Sequence, residues 1–194
     1  MLLKKLADYK IILASNSPRR KQLLAGAGIG FAVETTGVVD ESFPADMPHN
    51  EVPVYLAKLK SQSFRPLREK EVLITADTVV ICNKQLLGKP DDADDAARML
   101  RMLSGNRHEV LTGVCIRTNE MTHTFVSSTL VDFRPLSSDE ILYYVEHYRP
   151  YDKAGAYGAQ EWIGYIGIQS IEGSYFNVMG LPIQQLFVAL DQLL

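Results

Sequence analysis

Val72-Leu73-Ile74-Thr75-Ala76-Asp77-Thr78-Val79-Val80-Ile81-Cys82 is apolar but for two threonines and one carboxylate, and its density of β-branched residues predicts a buried strand. A carboxylate inside such a strand needs a reason. Left unpaired, Asp77 would cost several kcal/mol or take up a proton. The explanations open to it are a metal ion, a cationic cluster, general-base chemistry, or a structural role where one strand turns into the next.

Downstream, Asn83-Lys84 reads as a turn into a hairpin strand at Gln85-Leu86-Leu87-Gly88, followed by Lys89-Pro90. A helix follows whose first turn holds Asp91, Asp92, Asp94 and Asp95, which suits the positive end of the helix dipole, and Ser104-Gly105 closes it. Alternation predicts strands over 108–116 and 125–133. Ser137-x-x-Glu140 is a capping box for a helix bearing Ile141, Leu142 and Val145. A glycine-rich stretch over 151–160 precedes strands expected near 163–171 and 175–179, and a last helix is expected over 181–194.

Upstream, Lys10–Ala14 predicts a strand, and Ser17 as N-cap with Pro18 in the first helical position starts a helix that Gly26 and Gly28 end. Residues 31–36 alternate like a further strand, and 37–50 form an acidic loop. In the helix that begins near Asn50, Val52, Leu56, Leu59 and Ser63 make the inward stripe. At about 100° per residue Lys60 then sits at its border and Lys58 faces solvent. Strands and helices interleave without repeats, so the expected fold class is α/β: a mixed sheet covered by helices.

The chain has 194 residues, enough for one domain with room for two lobes around a cleft; 46% hydrophobic and 22% charged is ordinary globular composition. A net charge of −3 argues against nucleic acid as a partner, while leaving a small anion held by local cations open. Cys82 and Cys115 lie in apolar runs without metal-ligand spacing, as reduced core thiols of a cytoplasmic protein do. Ile11–Ala14 is too short for a signal-peptide core or a membrane span.

Ser15-Asn16-Ser17-Pro18-Arg19-Arg20 offers backbone N–H groups, hydroxyls and two guanidinium groups at a helix start, a combination suited to phosphate but also to a plain cap with solvated arginines. Lys60 and Lys89 come from other elements and lie beside apolar sequence. With Asp77, these residues match the needs of a triphosphate hydrolase: cations for the transferring group, carboxylates for a divalent metal, and a base for water. Asp40 and Glu41 could join Asp77 at the metal, or be ordinary solvated acids. No Gly-x-Ser-x-Gly elbow, Walker loop or Gly-x-Gly-x-x-Gly fingerprint occurs, and the four histidines lack a nucleophile partner.

Leu13–Arg20, Leu56-Ala57-Lys58-Leu59-Lys60, Ala76–Val80, Leu87-Gly88-Lys89-Pro90, Leu103-Ser104-Gly105, Asp152–Gln160 and Val178–Pro182, in this order, resemble the Maf family of nucleoside triphosphate pyrophosphatases along nearly the whole chain. The resemblance implies a curved mixed sheet divided by a deep cleft, a Mg²⁺ or Mn²⁺ requirement, and cleavage of a nucleoside triphosphate to monophosphate and pyrophosphate. It places Asp77 on the general base, and Ser15, Arg19, Lys60, Lys89 and Gln160 on substrate-contacting positions, with Asp40 or Glu41 near a loop carboxylate. Arg19, Thr78 and Gln160 resemble the subgroup acting on dTTP and UTP; a sister subgroup acting on 7-methyl-GTP carries Tyr, Gln and Glu there. Trp162 departs from the family's small residues. The resemblance leaves a homodimer open, and with it two other readings: a nucleotide-binding regulator of septum formation with little turnover, and a phosphatase releasing inorganic phosphate.

Overall fold

The computed structural model describes residues 1–35, 37 and 39–194. In chain order the elements are α1 (Leu2–Lys5), β1 (Lys10–Leu13), α2 (Pro18–Gly26), β2 (Ala32–Val33), α3 (Val52–Gln62), β3 (Glu71–Cys82), β4 (Gln85–Leu87), α4 (Ala93–Leu103), β5 (Arg107–Arg117), β6 (Thr122–Phe133), α5 (Ser138–Tyr148), α6 (Trp162–Gly167), β7 (Ile168–Glu172), α7 (Tyr175–Val178) and α8 (Ile183–Leu193). Short 3₁₀ turns occupy Leu6–Asp8 and Ala154–Ala156. The strands form one mixed seven-stranded sheet in the order β2-β1-β3-β5-β6-β7, with β4 paired to β3. Lys10–Leu13 of β1 run parallel to Glu71–Ile74 of β3, and β4 returns antiparallel along Val80–Cys82. The α/β class expected from the interleaved pattern is the observed one.

Several boundaries follow from local chemistry. Ser17 Oγ accepts the Arg20 N–H at 3.4 Å ahead of Pro18, and Gly28 takes a φ of +73° just past α2. Ser137 and Glu140 make the complete capping box of α5. The C-terminal third departs in part from expectation: the strand expected near 163–171 is found only from Ile168 on, in β7, with Trp162–Gly167 helical before it, and Tyr175–Val178, within the strand expected over 175–179, is helical. Both segments are short and rich in aromatic or β-branched residues, so propensity points to strand while the Ser174 cap and the packing of Ile163 decide for helix. The strand expected over 31–36 is two residues long in β2; Thr36 lies outside the described residues.

The chain falls into two compact units. The first comprises Met1–Asp77, Thr112–Ser127 and Gly180–Leu194; the second comprises Thr78–Leu111 and Ser128–Met179. β3 passes from the first to the second between Asp77 and Thr78. Within the first unit Ile12, Phe64 and Leu73 form a buried cluster flanked by Ala14 and Leu67. Beside it Glu71 accepts from Arg65 at 2.6 Å, from the Arg68 N–H at 2.9 Å and from Lys10 at 3.4 Å. Those donors, Arg65 foremost, hold its carboxyl down at about 2. The core of the second unit gathers Leu100 and Leu103 of α4, Val131 and Phe133 of β6, Ile141 and Tyr144 of α5, and Tyr157 and Ile163.

Candidate active site

Asp77 occupies the middle of β3 with its side chain 12% exposed, and the reason for a charge at that depth is a cation. Lys60 Nζ lies 2.5 Å from Asp77 Oδ1 and 3.2 Å from Glu41 Oε1, so one ammonium joins a strand carboxylate to a loop carboxylate. Two contacts within the first unit fix where α3 delivers that lysine. Thr75 Oγ1 donates to the Ala57 carbonyl at 2.6 Å. Gly113 of β5 meets the first turn of α3 so closely that an added Cβ would stand 2.2 Å from the Pro53 carbonyl carbon.

The buried face of α3 runs through Val52, Pro53, Leu56, Ala57 and Ser61, whereas Leu59 is half-buried and Ser63 exposed, so the expected stripe is rotated by about one residue. That rotation brings Lys60 inward and leaves Lys58 in solvent, as the wheel argument required.

The turn after β1 adds positive charge to the same unit. Arg20 is structural in part: its Nε donates to the Gly180 carbonyl at 2.7 Å and its Nη1 to Ser15 Oγ at 3.4 Å, tying the first and last motifs of the chain together. Burial lowers its guanidinium from the ordinary value, and the charges of Asp77 and Glu41 oppose that shift. Arg19 and Ser15 are half-buried on the same turn. Asp40 is exposed and accepts the Ser42 N–H at 3.0 Å; of the two loop acids, Glu41 is the one that reaches Lys60.

Thr78, Lys89 and Gln160 belong to the second unit. Lys89 is exposed beside Gly88, whose carbonyl accepts the Gly155 N–H at 2.9 Å, so the two motifs are pinned together. Gly155 is required there: its φ is +68°, and a Cβ would press to 2.9 Å from Val80. Gln160 is half-buried, and its Oε1 is a buried acceptor without a hydrogen-bond partner among the described residues. Trp162 packs on Tyr143 of α5 at 4.9 Å between ring centroids, which gives the departure from small residues a packing role.

Residues 10–193 match the family model described as Maf-like protein. The chain belongs to the Maf family. Among curated relatives, a protein of Bacteroides thetaiotaomicron named dTTP/UTP pyrophosphatase is 51% identical over 193 residues, covering 99% of this chain and 100% of its own. A Porphyromonas gingivalis protein of the same name is 52% identical over 96% of this chain and 95% of its own. One from Cytophaga hutchinsonii, also so named, is 45% identical over 100% of this chain and 88% of its own.

Set in this Maf chain, the first-unit cluster has the donors a hard divalent cation takes. Asp77 and Glu41 present carboxylate oxygens toward a single cationic point, and Mg²⁺ is commonly held by one or two carboxylates with substrate phosphates completing its shell. No group of three or more acidic, histidine or cysteine side chains gathers among the described residues, so the protein itself supplies two carboxylates here and no larger ligand set. Two features of the site were not evident from sequence. Arg20 reads as a solvated arginine until its Gly180 partner, 160 residues away, is known. Lys153 and Glu161 flank Gln160 in a motif whose glycines attract the attention first.

Proposed function

We propose that this Maf protein hydrolyses dTTP and UTP to the nucleoside monophosphate and pyrophosphate. The observation that carries the reading is the Lys60 bridge between Asp77 and Glu41, in a chain about half identical to relatives named dTTP/UTP pyrophosphatase along almost its full length. Release of pyrophosphate requires water to attack the α-phosphorus while the bond to the bridging oxygen of the β-phosphate breaks. Asp77, oriented through Oδ1 by Lys60, directs or deprotonates that water. Arg19, Lys60 and Lys89 neutralise charge that grows on the phosphoryl oxygens and on departing pyrophosphate, with the hydroxyl of Ser15 and the N–H groups of its turn as further donors.

Asp77 and Glu41 would hold a divalent cation, Mg²⁺ or Mn²⁺, which when bound supplies Lewis-acid stabilisation of the same oxygens; Asp40 is the alternative loop ligand. Gln160 and Thr78 choose the base. A glutamine amide both donates and accepts, so it can pair with a carbonyl and the imide N–H of uracil or thymine, and the buried Oε1 of Gln160 is an acceptor ready for such a donor. The reading extends to a cytoplasmic enzyme that acts on free nucleotides and not on nucleic acid, and light scattering of the purified protein decides whether it assembles as a homodimer. No described helix is long and apolar enough to cross a membrane.

The deciding experiment is a panel of nucleoside triphosphates with magnesium or manganese, assayed separately for pyrophosphate and phosphate. Stoichiometric pyrophosphate from UTP and dTTP is expected. Phosphate as the first product would make the protein a phosphatase, and absence of turnover with retained nucleotide binding would make it a regulator.

A further inference from the structure

Gly158 to Glu161 form a β-turn closed by the Glu161 N–H on the Gly158 carbonyl at 3.0 Å, with Ala159 and Gln160 as its central residues. The same two ends are clamped a second time by one hydroxyl. Tyr144 Oη, on the fully buried tyrosine of α5, accepts the Gly158 N–H at 3.0 Å and donates to Glu161 Oε2. Glu161 Oε1 then pairs with Lys153 Nζ at 3.1 Å, and that lysine is itself buried.

Glycine at 158 makes room for the carboxylate, since a Cβ there would lie 2.7 Å from Glu161 Cδ. Gly164 lets α6 close on the turn from the other side; its Cβ would meet the Ala159 carbonyl oxygen at 2.1 Å. A plain β-turn needs none of this. Pairing a buried lysine with a half-buried glutamate contributes little stability over an apolar replacement, so the pair points to geometry. What the geometry fixes is Gln160, whose Oε1 is buried and unpartnered among the described residues.

We propose that Tyr144, Glu161 and Lys153 are positioning residues that hold the Gly158–Glu161 turn so that the Gln160 amide faces the base in one orientation, and that they thereby set the preference for pyrimidine over purine nucleotides. The proposal rests on the reading of Gln160 as the group that pairs with the base. The three residues act through the turn, by way of the Gly158 N–H and the Glu161 carboxylate.

The test measures kcat/KM for UTP and for GTP, with thermal midpoints, in wild type, Gln160→Ala, Tyr144→Phe, Glu161→Gln and the double variant Tyr144→Phe with Gln160→Ala. Gln160→Ala is expected to lower the UTP-to-GTP ratio by about tenfold. Tyr144→Phe and Glu161→Gln each lower it in the same direction by about threefold to tenfold, chiefly through KM for UTP, as loss of one orienting hydrogen bond implies. The double variant should lower it no further than Gln160→Ala alone, because the clamp has nothing left to orient. A lowered thermal midpoint with an unchanged ratio in both Tyr144→Phe and Glu161→Gln overturns the proposal and leaves the pyrophosphatase reading intact. An unchanged ratio in Gln160→Ala overturns the base assignment and the proposal together. Should Tyr144→Phe fail to fold, the isosteric Glu161→Gln carries the test.

Discussion

Lys60 in the first unit lies between Asp77 at 2.5 Å and Glu41 at 3.2 Å; Lys153 in the second lies between Asp152 at 2.7 Å and Glu161 at 3.1 Å. Each is a sheltered ammonium with one inner carboxylate and one outer: Glu41 and Asp152 are 43% and 55% exposed, Asp77 and Glu161 only 12% and 22%. Their second neighbours separate them. Glu161 passes its remaining hydrogen-bonding capacity to Tyr144 and so to a backbone turn. Asp77 lies in the field of Arg20, beside a turn lined with hydroxyls and guanidinium groups. A similar pairing of one ammonium with two carboxylates therefore serves two ends: a pair closed off by a neutral donor fixes a backbone, and a pair with further cations beside it is equipped to meet an anion.

The comparison breaks most easily at Asp77. Asp77→Asn keeps the shape and removes the charge, and turnover is expected to fall roughly 10²-fold or more while the protein stays folded. Steady-state pyrophosphate release with circular dichroism on the same samples decides it; a folded variant at wild-type rate would move the base elsewhere. Lys60→Ala should cost a comparable factor of about 10² in kcat/KM through lost charge stabilisation. Lys58→Ala, two residues away in solvent, should leave kcat/KM within about twofold of wild type, as surface changes do. Equal losses from the two lysines would remove the distinction between α3 faces.

Lys153→Met should reverse the pattern. It leaves Glu161 with Tyr144 as its remaining side-chain donor among the described residues, and stability is expected to fall by about 2 kcal/mol, less than for a fully buried pair because Glu161 keeps some solvent contact. Denaturant titration measures that loss, and kcat with saturating UTP should change less than it does in Lys60→Ala. If Lys153→Met instead abolishes turnover without loss of stability, the second cluster belongs to the chemistry and the contrast drawn between the two lysines is wrong.

How much of this was legible depended on range. The apolar run of β3, the Ser17-Pro18 start and the Ser137-x-x-Glu140 box are local statements, and each is found where its residues predict it. Asp77 announced itself by being a charge in the wrong solvent, and Lys60 by its angle on α3, so half of the candidate site could be named before any contact was known. Trp162–Gly167 was misread because six residues of mixed aromatic and β-branched character satisfy either period. Tyr144 was unreadable for a different reason: on a helix face a tyrosine looks like core, which it is, and only the fold brings its hydroxyl to Gly158 and Glu161. Gly113 likewise reads as a weak point in a strand until α3 is seen lying against it.

The smallest effect separates the two units by pH. His108 is buried in the second unit, where its Nε2 and the Tyr157 hydroxyl share a hydrogen bond of 2.8 Å and its ring meets Phe133 edge-on. Burial lowers its pKa to about 4, against the opposing charge of Asp132 and a contact with the Asn106 backbone. The unfolded chain takes up this proton near pH 6.5 and the folded chain does not until about pH 4, so stability is full above 6.5 and declines as pH falls through that window. Between pH 6.5 and 5.5 the expected loss is about 1 kcal/mol. Glu71 of the first unit runs lower: its carboxyl is held at about 2, so its contribution is present above about pH 4.5 and lost as pH falls toward 2. Asp132 and Glu140 of the second unit, also held at about 2, share that lower window. Denaturant midpoints at pH 6.5 and 5.5 in wild type and His108→Gln check this: the variant, though less stable overall, should lose most of the slope. A slope that survives the substitution would mean that a group other than His108 takes up the proton.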